Sequence, residues 1–245
     1  MIDIHSHILP GLDDGARDWD EALQMARLAV ADGIRVMVAT PHLFKERTVA
    51  LDKLNHKNFI LQSLAKFRQK LAAQGIDLEI LPGCDVPLSP EALELLHGDL
   101  LLTINDGKRY LLLELPDTSF PPALEGICFR LISEGLTPII THPERQLIIQ
   151  ERPDKLARLI NLGCLAQLTA TSLLGGFGRR VAKVSRDLVK QGLIHLLASD
   201  AHNPDRRPPV LSPAVKKMAS LVGPERAQAM VTQLPEKIIR GEPIF

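Results

Sequence analysis

Two histidines one residue apart stand near the start of the chain, in Asp3-Ile4-His5-Ser6-His7, and a carboxylate and a histidine share that spacing far downstream in Asp200-Ala201-His202. In an extended strand, side chains two apart project to one face, so each pair can present both polar groups to a single cavity. Imidazole with carboxylate suits borderline divalent metals such as zinc, manganese and iron. Similar groups lie between the two pairs, in Thr40-Pro41-His42, Gly83-Cys84-Asp85, Glu114 and Thr141-His142-Pro143-Glu144-Arg145. A lone histidine after a strand is an ordinary capping or surface residue. Recurrence at the ends of successive strands instead predicts one shared metal site. His56, His97 and His195 lack that placement and are assigned structural roles.

Groups so distant in sequence meet only if the fold gathers strand ends. Short apolar runs at Ile2–Ile4, Arg35–Ala39, Leu78–Leu81, Tyr110–Leu115, Pro138–Thr141, Leu165–Thr169 and Ile194–Ser199 alternate with helical patterns. Continuous apolar runs mark parallel strands buried on both faces. Asp18-Trp19-Asp20-Glu21 has capping-box form ahead of Ala22, Met25, Ala26 and Ala29, while Leu61, Leu64, Phe67 and Leu71 recur at helical spacing. Gly33, Gly75, Gly135, Gly163 and Gly192 each stand after a helical pattern and before a strand, where a left-handed cap is wanted. This repetition predicts an α/β barrel with its chemistry at the carboxyl ends of the strands. Leu101–Ile104 reads as an extra strand or as part of a hairpin. No linker or low-complexity tract divides residues 1–245, so a single domain is expected.

Composition excludes several classes. Lys and Arg total 29 and Asp and Glu total 29, so net charge is zero and gives no electrostatic reason to expect nucleic acid or an anionic membrane. No apolar stretch approaches the roughly 18 residues of a membrane helix, and no basic segment followed by an apolar run opens the chain. A soluble, cytoplasmic protein without membrane insertion is expected. The 3 cysteines, Cys84, Cys128 and Cys164, form no CxxC pair and read as buried thiols. Six residues after each stand Pro90, Glu134 and Ala170, not arginine, so the cysteine-nucleophile phosphatase loop is absent.

The ordered segments DIHSHILPGLDDGA, ATPH, LPGCD, LLLELP, THPERQ, QLTATSLLGGFG and ASDAHN resemble the PHP metallophosphoesterase superfamily. Within it they resemble the bacterial capsule and exopolysaccharide tyrosine-protein phosphatases of the CpsB/CapC type, over nearly the whole chain. HxH alone is common among metal hydrolases; PGLDDGA, HPER and TA-S-L-G-FG are narrower signals. The resemblance implies a single-domain, distorted (β/α)7 barrel of the PHP type and a cluster of two or three divalent metals, manganese first, with iron or zinc as alternatives. It places ligands at His5, His7, Asp14, His42, Asp85, Glu114, His142, Asp200 and His202. Asp85 departs from the family, which more often has glutamate, and its carboxylate is one methylene shorter. Asp13-Asp14-Gly15 by itself reads as a turn. The resemblance selects Asp14 as the ligand and leaves Asp13 a structural residue. Arg145 and Arg207 match arginines that the family uses on phosphate, with Arg206 competing for the second place.

The chemistry follows from charge. A phosphate monoester dianion repels an anionic nucleophile, whereas adjacent divalent cations neutralise it and bring a bound water's pKa near neutral. Guanidinium forks then hold charge developing on phosphoryl oxygens. A tyrosine phenolate, with a pKa of about 10, needs little protonation to leave; Asp200 and His202 are the candidates to assist as acids. The implied activity is a manganese-dependent protein-tyrosine phosphatase using a metal-bridging hydroxide. Its substrate would be the phosphotyrosine-containing tail of a cognate bacterial tyrosine kinase that controls capsular or exopolysaccharide synthesis. The alternatives are a phosphoesterase for a small phosphorylated metabolite or a phosphodiester, and a non-catalytic metal-binding regulatory protein. An amidohydrolase would want a bridging lysine, and no strand end carries one. Gly175-Gly176-Phe177-Gly178 reads as a glycine turn into the basic helix start Arg179-Arg180, without a catalytic assignment. Phe44–Asn55 reads as a substrate-facing lid or a solvated loop. The helix pattern Asp20–Asp32 leaves a homo-oligomer open.

Overall fold

The computed structural model describes residues 1–43, 56–89, 92, 94, 96 and 99–244. The proposed lid segment and His97 lie outside the described residues. Apolar runs form β1 (Ile2–Ser6), β2 (Val36–Ala39), β3 (Glu79–Pro82), β4 (Asp85–Pro87), β5 (Tyr110–Glu114), β6 (Thr137–Thr141), β7 (Leu165–Thr169) and β8 (Leu196–Ala198). Every named strand pair is parallel, in the orders β1-β2-β3 and β4-β5-β6-β7-β8. Parallel neighbours need crossovers, and helices supply most of them. These are α1 (Trp19–Ala31), α2 (His56–Ala73), α3 (Leu124–Ser133), α4 (Leu147–Glu151), α5 (Pro153–Asn161), α6 (Ala170–Leu174) and α7 (Arg179–Lys190); α8 (Ser212–Val222), α9 (Pro224–Ala229) and α10 (Gln233–Ile239) follow β8.

The strand ladder forms two open sheets, where the sequence pointed to one closed barrel. Isolated parallel bridges join them at Ser6–Ala201 and His42–Asp85. At the first seam, the His7 amide donates to the Ala201 carbonyl (2.8 Å) and the Asp200 amide to the His5 carbonyl (2.9 Å). At the second, the Asp85 amide donates to the Pro41 carbonyl and the Leu43 amide to the Asp85 carbonyl, both at 3.2 Å. The break between β3 and β4 follows Pro82, which has no amide hydrogen for a ladder. Asp85–Pro87 is too short, and too proline-containing, to announce itself as a strand.

Two further readings are corrected. Leu101–Ile104 is not a strand: Ile104–Asp106 is a 3-10 turn, and Leu101, Leu102 and Ile104 are buried as core residues. In α2, Leu61 is 37% exposed, and the buried ridge is Ile60, Leu64, Phe67 and Leu71. Asp18 does cap α1, its carboxylate accepting from the Glu21 amide at 2.9 Å, and the glycines expected to cap helices all carry positive φ. Cys84, Cys128 and Cys164 are free and buried.

Alternation along the strands divides the core in two. One cluster packs sheets against helices and includes Met25, Phe67, Leu113, Ile140, Leu168 and Leu197. A smaller one gathers Ile4, Val38, Leu112, Ile139, Leu165 and Leu196 with Ile104 and with Ile238 of α10. Tyr110, at the start of β5, belongs to this cluster and donates its hydroxyl to the Glu242 carbonyl (2.6 Å). Apolar side chains thus fill the sheets near the amino ends of the strands, and the buried polar residues are left at the carboxyl ends. Among the described residues, no helix is long and apolar enough to cross a membrane.

Candidate metal centre

His5 of β1, Asp85 of β4, Glu114 of β5 and the segments that follow β1, β2, β6 and β8 deliver imidazoles and carboxylates to one buried cavity. His5 Nε2 lies 3.2 Å from His7 Nε2, 3.5 Å from Asp200 Oδ1 and 3.6 Å from Asp85 Oδ2. His42 Nδ1 is 3.2 Å from Asp85 Oδ2 and 3.4 Å from Glu114 Oε2, and its Nε2 is 3.7 Å from Asp14 Oδ1. His202 Nε2 is 3.5 Å from Asp14 Oδ1, and His142 Nε2 is 3.6 Å from Glu114 Oε1. Three sets have donor atoms within 4.8 Å of one another: His7, Asp14, His42 and His202; His5, His7 and Asp200; and His42, Asp85 and Glu114. His142 stands beside the third set, through Glu114. Asp85, despite its shorter side chain, reaches both His5 and His42.

Neighbouring groups orient the imidazoles. His7 Nδ1 donates to Asp13 Oδ2 (2.6 Å) and His5 Nδ1 to Gln167 Oε1 (2.9 Å), which turns both Nε2 lone pairs toward the cavity. Asp13 also accepts from the amides of His42 (2.9 Å) and Gly15 (2.9 Å). The loop closes tightly because Gly15 lacks a side chain: a Cβ there would lie 2.0 Å from the His7 carbonyl oxygen. Asp3 accepts from the Ser199 amide and hydroxyl, tying β1 to the segment that carries Asp200. His142 (φ 35°) and Asp200 (φ 52°) adopt the left-handed region despite their side chains, a strain of order 1 kcal/mol each.

Burial favours the neutral form of His5, His7 and His142. It pushes His5 below the ordinary histidine range and His7 well below it, the latter also repelled by His202 and His42; His142 falls through burial and the Arg145 charge. The approach of His202 to Asp14 (3.5 Å) lowers that carboxyl below the usual carboxylate range. Burial alone would raise Asp200, but Arg145, His5, the neighbouring His7 and Arg207 hold it well below that range. Neutral imidazoles and ionised carboxylates are the protonation states that bind metal. Both ring nitrogens of His142 and Nε2 of His202 are buried without a hydrogen-bond partner, which is costly unless a cation takes the one lone pair each neutral ring offers. The donor set therefore fits divalent metal.

Both expected arginines meet at Asp200. Arg145 Nη1 lies 3.1 Å and Arg207 Nη2 2.6 Å from Asp200 Oδ2. Asn203 Oδ1 accepts from the amides of Arg206 (2.7 Å) and Arg207 (3.1 Å) in a tight turn. Arg206 makes no ion pair with Asp200; it is exposed and lines a cavity of about 330 Å³ together with Asp14, His202, Arg17, Glu21 and Asp205. The structure adds residues that sequence reasoning left without a role at the site. Gln167, a polar residue inside the buried run LAQLT, was the visible signal. Glu144 is fully buried, accepts from the Thr169 amide, and is raised by burial to about 7. His56, lowered by burial to about 4, bonds to the backbone of His42. His195 lies elsewhere, accepting from the Ala166 amide.

This constellation can be set beside known proteins. The family model for capsular polysaccharide synthesis, CpsB/CapC, matches residues 1–240. The chain belongs to the CpsB/CapC family. Tyrosine-protein phosphatase YwqE of Bacillus subtilis is 36% identical over all of this chain and 94% of its own length. Tyrosine-protein phosphatase CpsB of Streptococcus pneumoniae is 30% identical, over 99% of each chain. A solved structure from work on YwqE and the S. pneumoniae CpsB, described there as metal-dependent tyrosine phosphatases, superposes with a TM-score of 0.92 at 36% identity, covering 100% of this chain and 96% of that one. Histidinol phosphate phosphatase of Lactococcus lactis shares only the fold, at 12% identity and a TM-score of 0.57, over 92% of this chain and 93% of that one.

Proposed function

We propose that this CpsB/CapC chain is a metal-dependent, cytoplasmic protein-tyrosine phosphatase acting on the phosphotyrosine-containing tail of a cognate bacterial tyrosine kinase in capsular or exopolysaccharide synthesis. The family relationship supports this reading, and one observation carries it: two guanidiniums converge on a carboxylate that also belongs to a buried histidine and carboxylate cluster. We further propose that residues 1–245 form one distorted (β/α)7 barrel, with β3 and β4 counting as a single interrupted strand.

The metal-holding residues would be His7, Asp14, His42 and His202 for one position, His5, His7 and Asp200 for a second, and His42, Asp85 and Glu114, with His142 beside them, for a third. Divalent cations, manganese first, would supply charge neutralisation and an acidified water. The remaining work falls to the chain. Arg145 and Arg207 bind phosphoryl oxygens and hold the charge that develops on them. Asp200, kept ionised by its cationic neighbours, orients both forks and is a poor proton donor. His202 donates Nδ1–H to the Asp200 carbonyl (3.0 Å), so its Nε2 is a ligand nitrogen and not an acid. A phenolate, with a pKa of about 10, leaves without a strong acid.

The test is hydrolysis of a phosphotyrosine peptide with and without manganese, alongside histidinol phosphate and a phosphodiester. Manganese-dependent turnover of the peptide is expected, and His7→Ala or Arg207→Ala should reduce it by about a hundredfold or more with the circular dichroism unchanged. Cleavage of histidinol phosphate or the diester in place of the peptide, or full activity in both variants, defeats the reading.

A further inference from the structure

The glycine-rich turn between α6 and α7 carries a ring that the chemistry above does not use. Phe177 is half-buried, yet it belongs to neither hydrophobic cluster of the core. Its neighbours of note are cations. The Arg145 guanidinium carbon lies 5.0 Å from its ring centroid and that of Arg207 lies 5.7 Å away. Both distances fall within the range of about 6 Å at which a ring quadrupole attracts a cation.

The two arginines need such a partner. Two permanent positive charges converge on one carboxylate oxygen, with side chains only 20% and 22% exposed. For each, Asp200 is the sole ion-pair partner among the described residues, and Arg207 Nε is buried without a hydrogen bond. A phosphate that draws the forks away from Asp200 would leave them without a fixed support, were it not for the ring they share. The turn makes that support rigid. Gly175 (φ 96°) and Gly178 (φ 92°) occupy the left-handed region, Gly176 donates to the Thr171 carbonyl at 2.9 Å, and Gly178 to the Gly175 carbonyl at 2.9 Å. A Cβ on Gly176 would lie 2.3 Å from Thr171 Cγ2, so any side chain there would displace Thr171. The glycines permit this path and the two backbone hydrogen bonds hold it, which places the backbone from which the ring projects.

We propose that Phe177 is a positioning residue whose ring holds Arg145 and Arg207 together as a preformed phosphate clamp. This rests on the phosphatase reading for the clamp's use, but its own geometry is independent of turnover. It acts on the phosphoryl group and not on the rest of the substrate, so its loss is felt equally by any aryl phosphate.

The test compares wild type, Phe177→Leu and Phe177→Trp in the manganese-loaded full chain, with a phosphotyrosine peptide and p-nitrophenyl phosphate as substrates and inorganic phosphate as inhibitor. Leucine keeps apolar volume and removes the quadrupole; tryptophan keeps a stronger one. Phe177→Leu should lose about tenfold in kcat/KM on both substrates alike, and inorganic phosphate should inhibit it more weakly by a similar factor. Phe177→Trp should recover most of both, and the melting temperature of either variant in chelator should match wild type. Unchanged kinetics in the leucine variant, a loss confined to the peptide, tryptophan no better than leucine, or a fall in melting temperature like that of a core deletion would each overturn the proposal. If wild type hydrolyses neither substrate, the phosphatase reading fails, and calorimetric titration with inorganic phosphate still decides this one: weaker binding in Phe177→Leu than in wild type sustains it, and equal binding rejects it.

Discussion

Asp13 and Asp14 are adjacent and chemically identical, but their surroundings give them different tasks. Asp14, 36% exposed, faces His42 and His202 across the cavity, while the Asp13 side chain is wholly buried and bonds His7 Nδ1 from behind. A carboxylate in that position fixes tautomer and ring angle and raises the basicity of the ligating nitrogen. Asp13→Asn is therefore expected to weaken manganese binding about 10- to 100-fold, read by calorimetric titration of chelator-stripped protein. Affinity equal to wild type would remove the orienting role. The proposed ligands other than Asp14 were legible because histidines and carboxylates interrupt or follow apolar runs at strand ends; Asp14 was singled out only by the family resemblance. The division of labour between Asp13 and Asp14 was not, since it depends on a loop path that Gly15 permits. Phe177 was equally illegible as a cation's partner: its arginines are 32 and 30 positions away in sequence.

Among the elements, parallel strands announced themselves where five or so apolar residues run together, as in Tyr110–Glu114 and Leu165–Thr169. β4 did not, because three residues carry no period and its pairing with β5 is non-local. Leu101–Ile104 misled for the converse reason: an apolar run was needed by the core and not by a sheet. His195 shows how a single side chain ties two elements. Its backbone amide donates to the Ala166 carbonyl (3.0 Å) and its Nδ1 accepts from the Ala166 amide (3.2 Å), joining β7 to the segment that enters β8. Burial, and then Arg226, lower this histidine to about 4, against 6.5 in the unfolded chain. The unfolded state therefore binds the extra proton between those values, so the contribution is present above pH 6.5 and is lost as pH falls toward 4. Between pH 7.5 and 5 this amounts to about 1 to 2 kcal/mol after allowance for partial solvent screening. His195→Gln should lose correspondingly less stability than wild type over that interval in urea titrations, and equal losses would contradict the assignment.

Across the whole molecule, the apolar core and the polar cavity are separate structures: one fills the sheets toward their amino ends, the other stays open to ions at the carboxyl ends. Metal bound only by the native state stabilises it by about 2.7 kcal/mol per site at a hundredfold excess over its dissociation constant. Chelation should accordingly lower the melting temperature while leaving the circular dichroism at 25 °C intact, and a transition indifferent to chelator would contradict this. The two seams give that loss a location. His5, His7 and Asp200 surround the Ser6–Ala201 bridge, and His42 and Asp85 are themselves the bridged pair at the other seam. Ions held by these residues would act as fasteners between two sheets that share few backbone bonds. Amide hydrogen exchange in chelator should then accelerate first at His7, Asp200, Asp85 and Leu43, while the amides inside β5, β6 and β7 keep their protection. On warming, such a molecule would come apart along the line where it does its chemistry, losing its active geometry well before its helices melt.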